Sequence, residues 1–319
     1  MPSTRRPHPV LIVAGPTASG KSGLALAVAE EFDGVVINAD SMQIYRELRV
    51  LTARPSTEDE ARAPHRLYGV LSVREVGSAA LWRTMAVAEI AAAHAAGKLP
   101  IVCGGTGLYL KALTQGLSPM PEPPADLREA WRARLAAEGA AALHRELAVL
   151  DPEMAARLKP GDSQRILRAL EVFEATGRSL AEWQRIPADG PPAGLRFATI
   201  LLAPPRDILY ATCDRRLAAM LESGALDEVR QLTALGLDPA LPAMKAVGIT
   251  EFAAHLAGNC DLATALAAAR QATRHYAKRQ TTWFRHQLIA DYTISAQFSE
   301  TLRDEIFAFI RQKLLTLPE

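Results

Sequence analysis

The chain has 319 residues, with 36 lysines and arginines against 35 aspartates and glutamates, and 49% of its residues are hydrophobic. This near-zero balance excludes wholesale coating by nucleic acid, so a polyanionic partner must be met by local patches. No apolar run approaches the roughly 20 residues that cross a bilayer, and Cys103, Cys213 and Cys260 are too scattered for a disulfide framework or a zinc site.

Met1 to Arg6 leads straight into a strand pattern rather than a signal-peptide apolar region, so cytoplasmic placement is expected. Residues 10–14 form an apolar run that opens directly into Gly15, Pro16, Thr17, Ala18, Ser19, Gly20, Lys21 and Ser22. This is the pattern G-x-x-x-x-G-K-[ST] in its strand–loop–helix setting. In such a loop the backbone N–H groups turn inward on a diphosphate, the helix N-terminus adds partial positive charge, and a lysine reaches the terminal phosphoryl oxygens. Ser22 is the expected magnesium ligand. The competing reading is a glycine-rich turn with a chance lysine, which the flanking pattern disfavours. What hangs from the diphosphate is left open, because a nucleoside triphosphate and an allylic diphosphate offer the same handle.

Residues 20–32 read as an amphipathic helix and residues 34–39 as a buried strand. Asp40 follows that strand at once. Neighbouring parallel strands lie about 4.8 Å apart, so this carboxylate is expected beside the phosphate loop, either to take a proton from a nucleophile or to hold magnesium through water. The competing reading is an aspartate capping the next turn. Residues 67–71 are a short strand candidate, 78–96 an alanine-rich helix, and 99–103 a further strand ending in Gly104-Gly105-Thr106. No acidic residue closes that last strand, which weakens an ATPase reading. The succession implies an α/β fold: a P-loop-type parallel sheet with helices on both faces and ligands beyond the carboxyl ends of its strands.

Proline-rich stretches at 118–124 and 186–192 bracket a segment with helical periodicity and no strand signal. The expected organisation is a catalytic core of residues 1–115 and 196–319 with an all-helical insertion domain at 116–195. Within the insertion, Gln164, Arg165 and Arg168 share one side of a helix, opposite Ile166, Leu170 and Phe173. Arginines near a helix N-terminus oppose its dipole, so a partner for them and simple solvent exposure both stand as readings of this stretch. Beyond the strand at 196–202, Arg215 or Arg216 is expected to reach the phosphate site and stabilise charge on a leaving diphosphate. The alternative for that pair is a salt bridge with Asp214. A long helix at 261–286 then places Arg270, Arg274, Lys278 and Arg285 on one arc, continued by His275, Arg279 and His286, while Thr273, Tyr276, Ala277, Gln280, Trp283 and Phe284 lie opposite. No acidic residue stands at i±4 to neutralise that arc, so it is expected to meet a polyanion. A strand near 292–294 and a terminal helix close the chain.

Together these segments resemble the tRNA dimethylallyltransferase (isopentenyltransferase) family: GPTASGKS at 15–22, DSMQIY at 40–45, PHRL at 64–67, GGTGLY at 104–109, SQRILRALEV at 163–172 and RHYAKRQTTWFR at 274–285. The resemblance runs from about residue 10 to about residue 285. It implies transfer of a dimethylallyl group from dimethylallyl diphosphate to N6 of adenosine 37 of tRNA. By that likeness Asp40 is the general base, Thr17 and Arg216 stabilise phosphate oxygens, and Lys21 and Ser22 with Mg2+ hold the diphosphate. Ser41, Met42, Gln43, Thr106, Arg128, Gln164, Arg165, Ile166, Leu167 and Arg168 look like contacts to the anticodon stem-loop, joined by Asp40, by Arg274 and Lys278 of the basic arc, and by the 245–250 stretch. A monomer without membrane association is expected. Two rivals remain at this point: a small-molecule kinase using the same loop and aspartate, and a tRNA-binding protein without chemistry.

Overall fold

The computed structural model describes residues 7–315, so Met1 to Arg6 lie outside the described residues. Within that range the chain forms two compact units, one of residues 7–114 with 191–315 and one of Gln115–Gly190.

The larger unit is built on six parallel strands: β1 (His8–Ala14), β2 (Gly34–Asn38), β3 (His65–Arg66), β4 (Leu99–Gly104), β5 (Leu195–Leu202) and β6 (Tyr292–Ile294), in the order β3-β2-β4-β1-β5-β6. Alternation along β1 shows why the sheet is covered on both sides. Val10, Ile12 and Ala14 enter one core with residues of α3 (Ala79–Ala95) and α11 (Ala225–Ala234), whereas Leu11 and Val13 enter a second with α1 (Lys21–Glu31) and α14 (Arg303–Ile310). Fully buried parallel strands bring an apolar residue to both faces. Residues 191–194 cluster with this unit, and the His8 N–H donates to the Gly194 carbonyl at 2.7 Å.

Two sequence expectations need correction. The strand predicted at 67–71 is instead β3 at His65–Arg66, because Leu67 at φ 62° and Gly69 at φ 60° turn the backbone out of extended geometry; only an isolated bridge from Tyr45 to Leu71 remains. Asp40 does not reach the loop by strand adjacency either. β4 lies between β1 and β2, so Asp40 approaches across the end of β4, and Gly104 makes this possible: a Cβ there would collide with the Ala39 carbonyl. Backbone bonds then weld the two ends, Ala39 N–H to Cys103 O at 2.8 Å and Thr106 N–H to Ala39 O at 3.1 Å.

Three helices build the wall beyond the sheet. α10 (Arg206–Glu222) and α12 (Ile249–Leu256) both pack against the 26-residue α13 (Leu262–Gln287). Asp261 caps α13 by accepting the Thr264 N–H at 2.7 Å, and its apolar stripe buries Ala265, Ala269, Thr273, Ala277, Gln280 and Phe284.

The smaller unit contains α5 (Ala125–Glu138), α6 (Ala140–Leu150), α7 (Pro152–Arg157), α8 (Ser163–Thr176) and α9 (Leu180–Arg185). Its own core collects Trp131, Leu143, Leu147, Ile166, Leu170 and Val172. Ile166 is 0% exposed and Leu167 7%. Those two side chains, read from the sequence as tRNA contacts, are therefore core residues, and the surface of that stretch is carried by Gln164, Arg165 and Arg168.

Candidate active site

The loop after β1 adopts the backbone a phosphate cradle needs. Ala18 (φ 66°) and Gly20 (φ 90°) take left-handed conformations, and the Ser19 N–H donates to the Pro16 carbonyl at 3.2 Å. Lys21 begins α1 and is only 8% exposed, with Nζ 3.4 Å from the Pro16 carbonyl. Burial lowers its pKa, and the nearby Asp40 charge opposes that effect. Ser22 is exposed on the first turn of α1. The segment beyond β6 covers the loop from above: the Phe298 N–H meets the Ser19 carbonyl at 3.4 Å, and its side chain lies against Gly20 and Gly23. The sequence offered no motif for that tail.

Thr17 is held on three sides. Its N–H donates to Gln280 Oε1 of α13 at 2.7 Å, its hydroxyl accepts from Arg216 Nη2 of α10, and its carbonyl faces Cys213 Sγ at 4.0 Å. Of the two arginines on α10, Arg216 is therefore the one that reaches the loop, while Arg215 is exposed and donates to Thr212 at 2.9 Å. Burial pulls the Arg216 guanidinium down, with Cys213 and Asp40 pulling the other way. Asp214 pairs with neither neighbour. Its Oδ2 lies 3.1 Å from Arg274 Nη1.

Asp40 caps the turn that follows it and keeps one carboxylate oxygen unengaged. Its Oδ1 accepts from the Met42 N–H at 2.9 Å and the Gln43 N–H at 3.4 Å, which is the turn-capping geometry, and Oδ2 has no hydrogen-bond partner among the described residues. Asn38 fixes the backbone beneath it, accepting from the Asp40 N–H at 2.8 Å and donating to the Asp40 and Leu67 carbonyls at 3.0 Å each. Trp82 in turn donates from Nε1 to the Asn38 carbonyl at 2.7 Å and stacks on Tyr109 with centroids 4.5 Å apart.

Asp40, Thr17 and Arg216 line one cavity of about 170 Å³. Leu51, Cys213, Leu217, Met220 and Val247 supply apolar wall, and Ser41, Met42, Tyr276 and Arg279 border it. Lys21 is close enough to Asp40 and Arg216 for both charges to act on it. Desolvation also pushes the Cys103 thiol beside Lys21 up to about 12, so that sulfur stays protonated at neutral pH. The arrangement joins a phosphate-loop backbone, the buried Lys21, the partly buried Arg216, an apolar recess and a carboxylate with one unengaged oxygen.

The remaining expected site residues are distributed unevenly. Thr106 accepts from the Ser41 N–H at 2.9 Å, which joins the 104–109 loop to the segment after Asp40. Gln43, 9% exposed, points inward and donates to the Thr52 and Ala53 carbonyls at 2.8 and 3.0 Å, so its side-chain amide braces the 50s loop rather than facing outward. Lys278, Arg279 and Arg285 are exposed on α13, whereas Arg274 carries the ion pair with Asp214; the acidic partner absent from its own helix comes from α10. In the insertion, Arg128 pairs with Glu122 at 2.9 Å, Arg165 with Asp162 at 3.6 Å and Arg168 with Glu171 at 3.6 Å. Burial raises the Glu171 carboxyl, and Arg168, Arg132 and Arg128 oppose that shift.

Two contributors escaped the sequence reading. Asn38 ends an otherwise apolar strand, and Gln280 interrupts the buried stripe of α13. A polar residue set into a buried run was the available signal, since such a group must find hydrogen-bond partners.

Comparison with known proteins gives a consistent picture. The family model described as IPP transferase matches residues 43–287. A tRNA dimethylallyltransferase of Paramagnetospirillum magneticum is 59% identical over 310 residues, covering 97% of this chain and 98% of the relative, and one of Rhodospirillum centenum is 59% identical over 290 residues, covering 91% of each. Among solved structures, a tRNA isopentenylpyrophosphate transferase from Bacillus halodurans superposes with a TM-score of 0.70 at 32% identity over 97% of both chains. A eukaryotic dimethylallyltransferase acting on tRNA gives 0.75 at 26% identity, covering 95% of this chain and 78% of the other.

Proposed function

The chain belongs to the IPP transferase family, and on that premise we propose that it transfers a dimethylallyl group from dimethylallyl diphosphate to N6 of adenosine 37 of tRNA, beside the anticodon, releasing diphosphate. The observation that carries the reading is the meeting of Thr17, Arg216 and Asp40 around a single cavity with an apolar recess formed by Leu51, Leu217, Met220 and Val247. A small-molecule kinase shares the loop and the aspartate but has no use for the exposed cations of α13.

In this mechanism the diphosphate rests on the Gly15 to Ser22 loop, and the five-carbon group lies in the recess formed by Leu51, Leu217 and Met220. The exocyclic N6 of adenine is a weak nucleophile because its lone pair is delocalised into the ring. Asp40 Oδ2 accepts the N6 proton as the nitrogen lone pair forms the new bond to the allylic C1, while the C1–O electron pair departs with the diphosphate. General base assistance of this kind contributes about 10² to 10⁴-fold. Negative charge grows on the bridging oxygen as that bond breaks, where Lys21, Arg216 and the Thr17 hydroxyl stabilise it. Because Arg216 donates to the Thr17 oxygen, the hydroxyl proton is directed away from it, toward the phosphate.

A divalent ion fits the donor set. The Ser22 hydroxyl is exposed at the helix start and makes no side-chain bond to the described protein, and Mg2+ takes few protein ligands beside phosphate oxygens and water. Bound there with the diphosphate, it would supply charge neutralisation of the leaving group.

An adenine stacked in an anticodon loop cannot enter a recess of this size without leaving its stack, so the base is flipped out, at a cost of a few kcal/mol that stacking and backbone contacts offset. The exposed cations of α13 meet the RNA phosphates, and Ser41, Met42 and Thr106 border the base. The helical insertion, residues 116–195 in this reading, offers Arg128, Gln164, Arg165 and Arg168 to the tRNA as well. The enzyme acts as a monomer in the cytoplasm.

The test is incubation with radiolabelled dimethylallyl diphosphate, Mg2+ and unmodified tRNA. Label in tRNA at adenosine 37 supports the reading; ATP consumption with a small acceptor and unlabelled tRNA overturns it.

A further inference from the structure

Gln280 is 6% exposed in the middle of α13, where burial of an amide is costly unless both of its ends are bonded. Both are. Oε1 accepts the Thr17 N–H at 2.7 Å and Nε2 donates to the Gly105 carbonyl at 2.8 Å, joining segments 263 and 175 residues away in sequence. The bond to Thr17 matters for direction. Most N–H groups of a phosphate cradle turn toward the ligand, but that of Thr17 is committed to Gln280, which fixes the rotation of the Thr17 peptide that carries the hydroxyl bonded by Arg216. On the other side, Gly105 is a glycine because a Cβ there would collide with the Gln280 amide nitrogen. Its neighbour Thr106 holds the segment that follows Asp40.

We propose that Gln280 is a positioning residue for the prenyl transfer, a single amide that sets the phosphate loop at Thr17 and the Gly105-Thr106 loop behind Asp40 in mutual register. The inference rests on the functional reading above and deepens it. The consequence is specific: losing the amide misorients the leaving-group side relative to the base, while the exposed face of α13 that meets RNA stays as it was. A loss in kcat without a loss in tRNA affinity follows, since well-placed groups displaced by small distances cost rate rather than binding.

The experiment uses Gln280→Leu, Gly105→Ala and the double variant, with kcat, KM for tRNA and affinity for inorganic pyrophosphate measured beside the wild-type chain. Gly105→Ala pushes the amide off its partner while leaving residue 280 a glutamine, so it probes the same bridge from the opposite end. Expected results are a drop of about 10 to 100-fold in kcat for each single variant, KM for tRNA within about twofold, weaker pyrophosphate binding for Gln280→Leu, and a double variant hardly worse than either single one, because both changes break one unit. Wild-type kcat in Gln280→Leu, losses that multiply in the double variant, or a change confined to KM for tRNA would each overturn the proposal. A wild-type chain that prenylates no tRNA would instead overturn the functional reading beneath it.

Discussion

Arg216, on α10, donates from Nη2 to the hydroxyl of Thr17 in the phosphate loop, 199 residues away in sequence. In the proposed mechanism the pair forms the leaving-group side of the cavity it lines. Arg216→Ala is expected to lower the single-turnover transfer rate by about 10² to 10³-fold, the range for removing a donor from a developing oxyanion. Arg216→Lys keeps the charge but not the planar fork and should recover only part of it. Rapid-quench measurement at saturating dimethylallyl diphosphate checks this; a rate unchanged in Arg216→Ala would remove Arg216 from the transition state.

Lys21 is buried and its pKa is lowered by desolvation. The folded value thus lies below the unfolded one, so between the two the unfolded chain binds the extra proton, and stability of the ligand-free protein rises with pH through that window. Lys21→Met keeps the length of the side chain and removes this dependence. The variant should melt a few degrees higher without ligand, by about the 4 °C or less that 1 kcal/mol moves a domain of this size, yet no longer be stabilised by pyrophosphate. Denaturant titrations at pH 8 and pH 10 with and without pyrophosphate test both halves, and a wild-type chain that loses stability over that interval relative to Lys21→Met would contradict the assignment.

The basic arc of α13, which the proposed function assigns to tRNA, divides into two kinds of basic residue. Lys278 and Arg279 are exposed, and their replacement by alanine should weaken tRNA binding and reduce the salt slope of log Kd by about one for each phosphate no longer neutralised. Arg274 is ion-paired with Asp214, whose Oδ1 is buried without another partner. Arg274→Ala should therefore lower thermal stability with little change in salt slope. Filter binding across salt concentrations, alongside melting curves, separates the two; a slope that falls equally for all three would return Arg274 to the residues that touch RNA.

Asn38 offers a prediction on the support of the base. Asn38→Ala removes the two donors and one acceptor that fix the Asp40 and Leu67 backbones, at a cost of about 1 to 3 kcal/mol for the buried groups left unpaired. Denaturation midpoint and kcat should fall together, and an unchanged midpoint would show that the Trp82 contact alone holds the strand end.

What could be read in the sequence divides along the same physical lines. The G-x-x-x-x-G-K-[ST] loop, the strands with their buried runs and the long amphipathic helix are local patterns, and they appear where periodicity and turn chemistry put them. Apart from the 67–71 segment, which Leu67 and Gly69 at positive φ turn out of extended geometry, the misplacements concern distance along the chain. Strand order is a long-range property, so the placement of β4 between Asp40 and the phosphate loop could not be read from spacing. Arg274 has no acidic neighbour on its own helix because its partner stands on another; Gln43 and Leu167 lie in motif-bearing stretches whose solvent face depends on the packing around them, whereas the buried Ile166 falls where helical periodicity puts it, opposite Gln164, Arg165 and Arg168. Gln280 falls on the packing face, as its periodicity predicts, but its partners lie in two loops far from it in sequence.

The central claim is that Asp40, through the oxygen it does not spend on the turn, takes the proton of the incoming nitrogen. Asp40→Asn is nearly isosteric and keeps an oxygen to accept from the Met42 N–H, so the turn survives while the base is lost. The account predicts that single-turnover prenylation of tRNA falls by about 10² to 10⁴-fold with the tRNA dissociation constant within about twofold of wild type. Prenylation at the wild-type rate, or a variant whose whole defect is weaker tRNA binding, would contradict it.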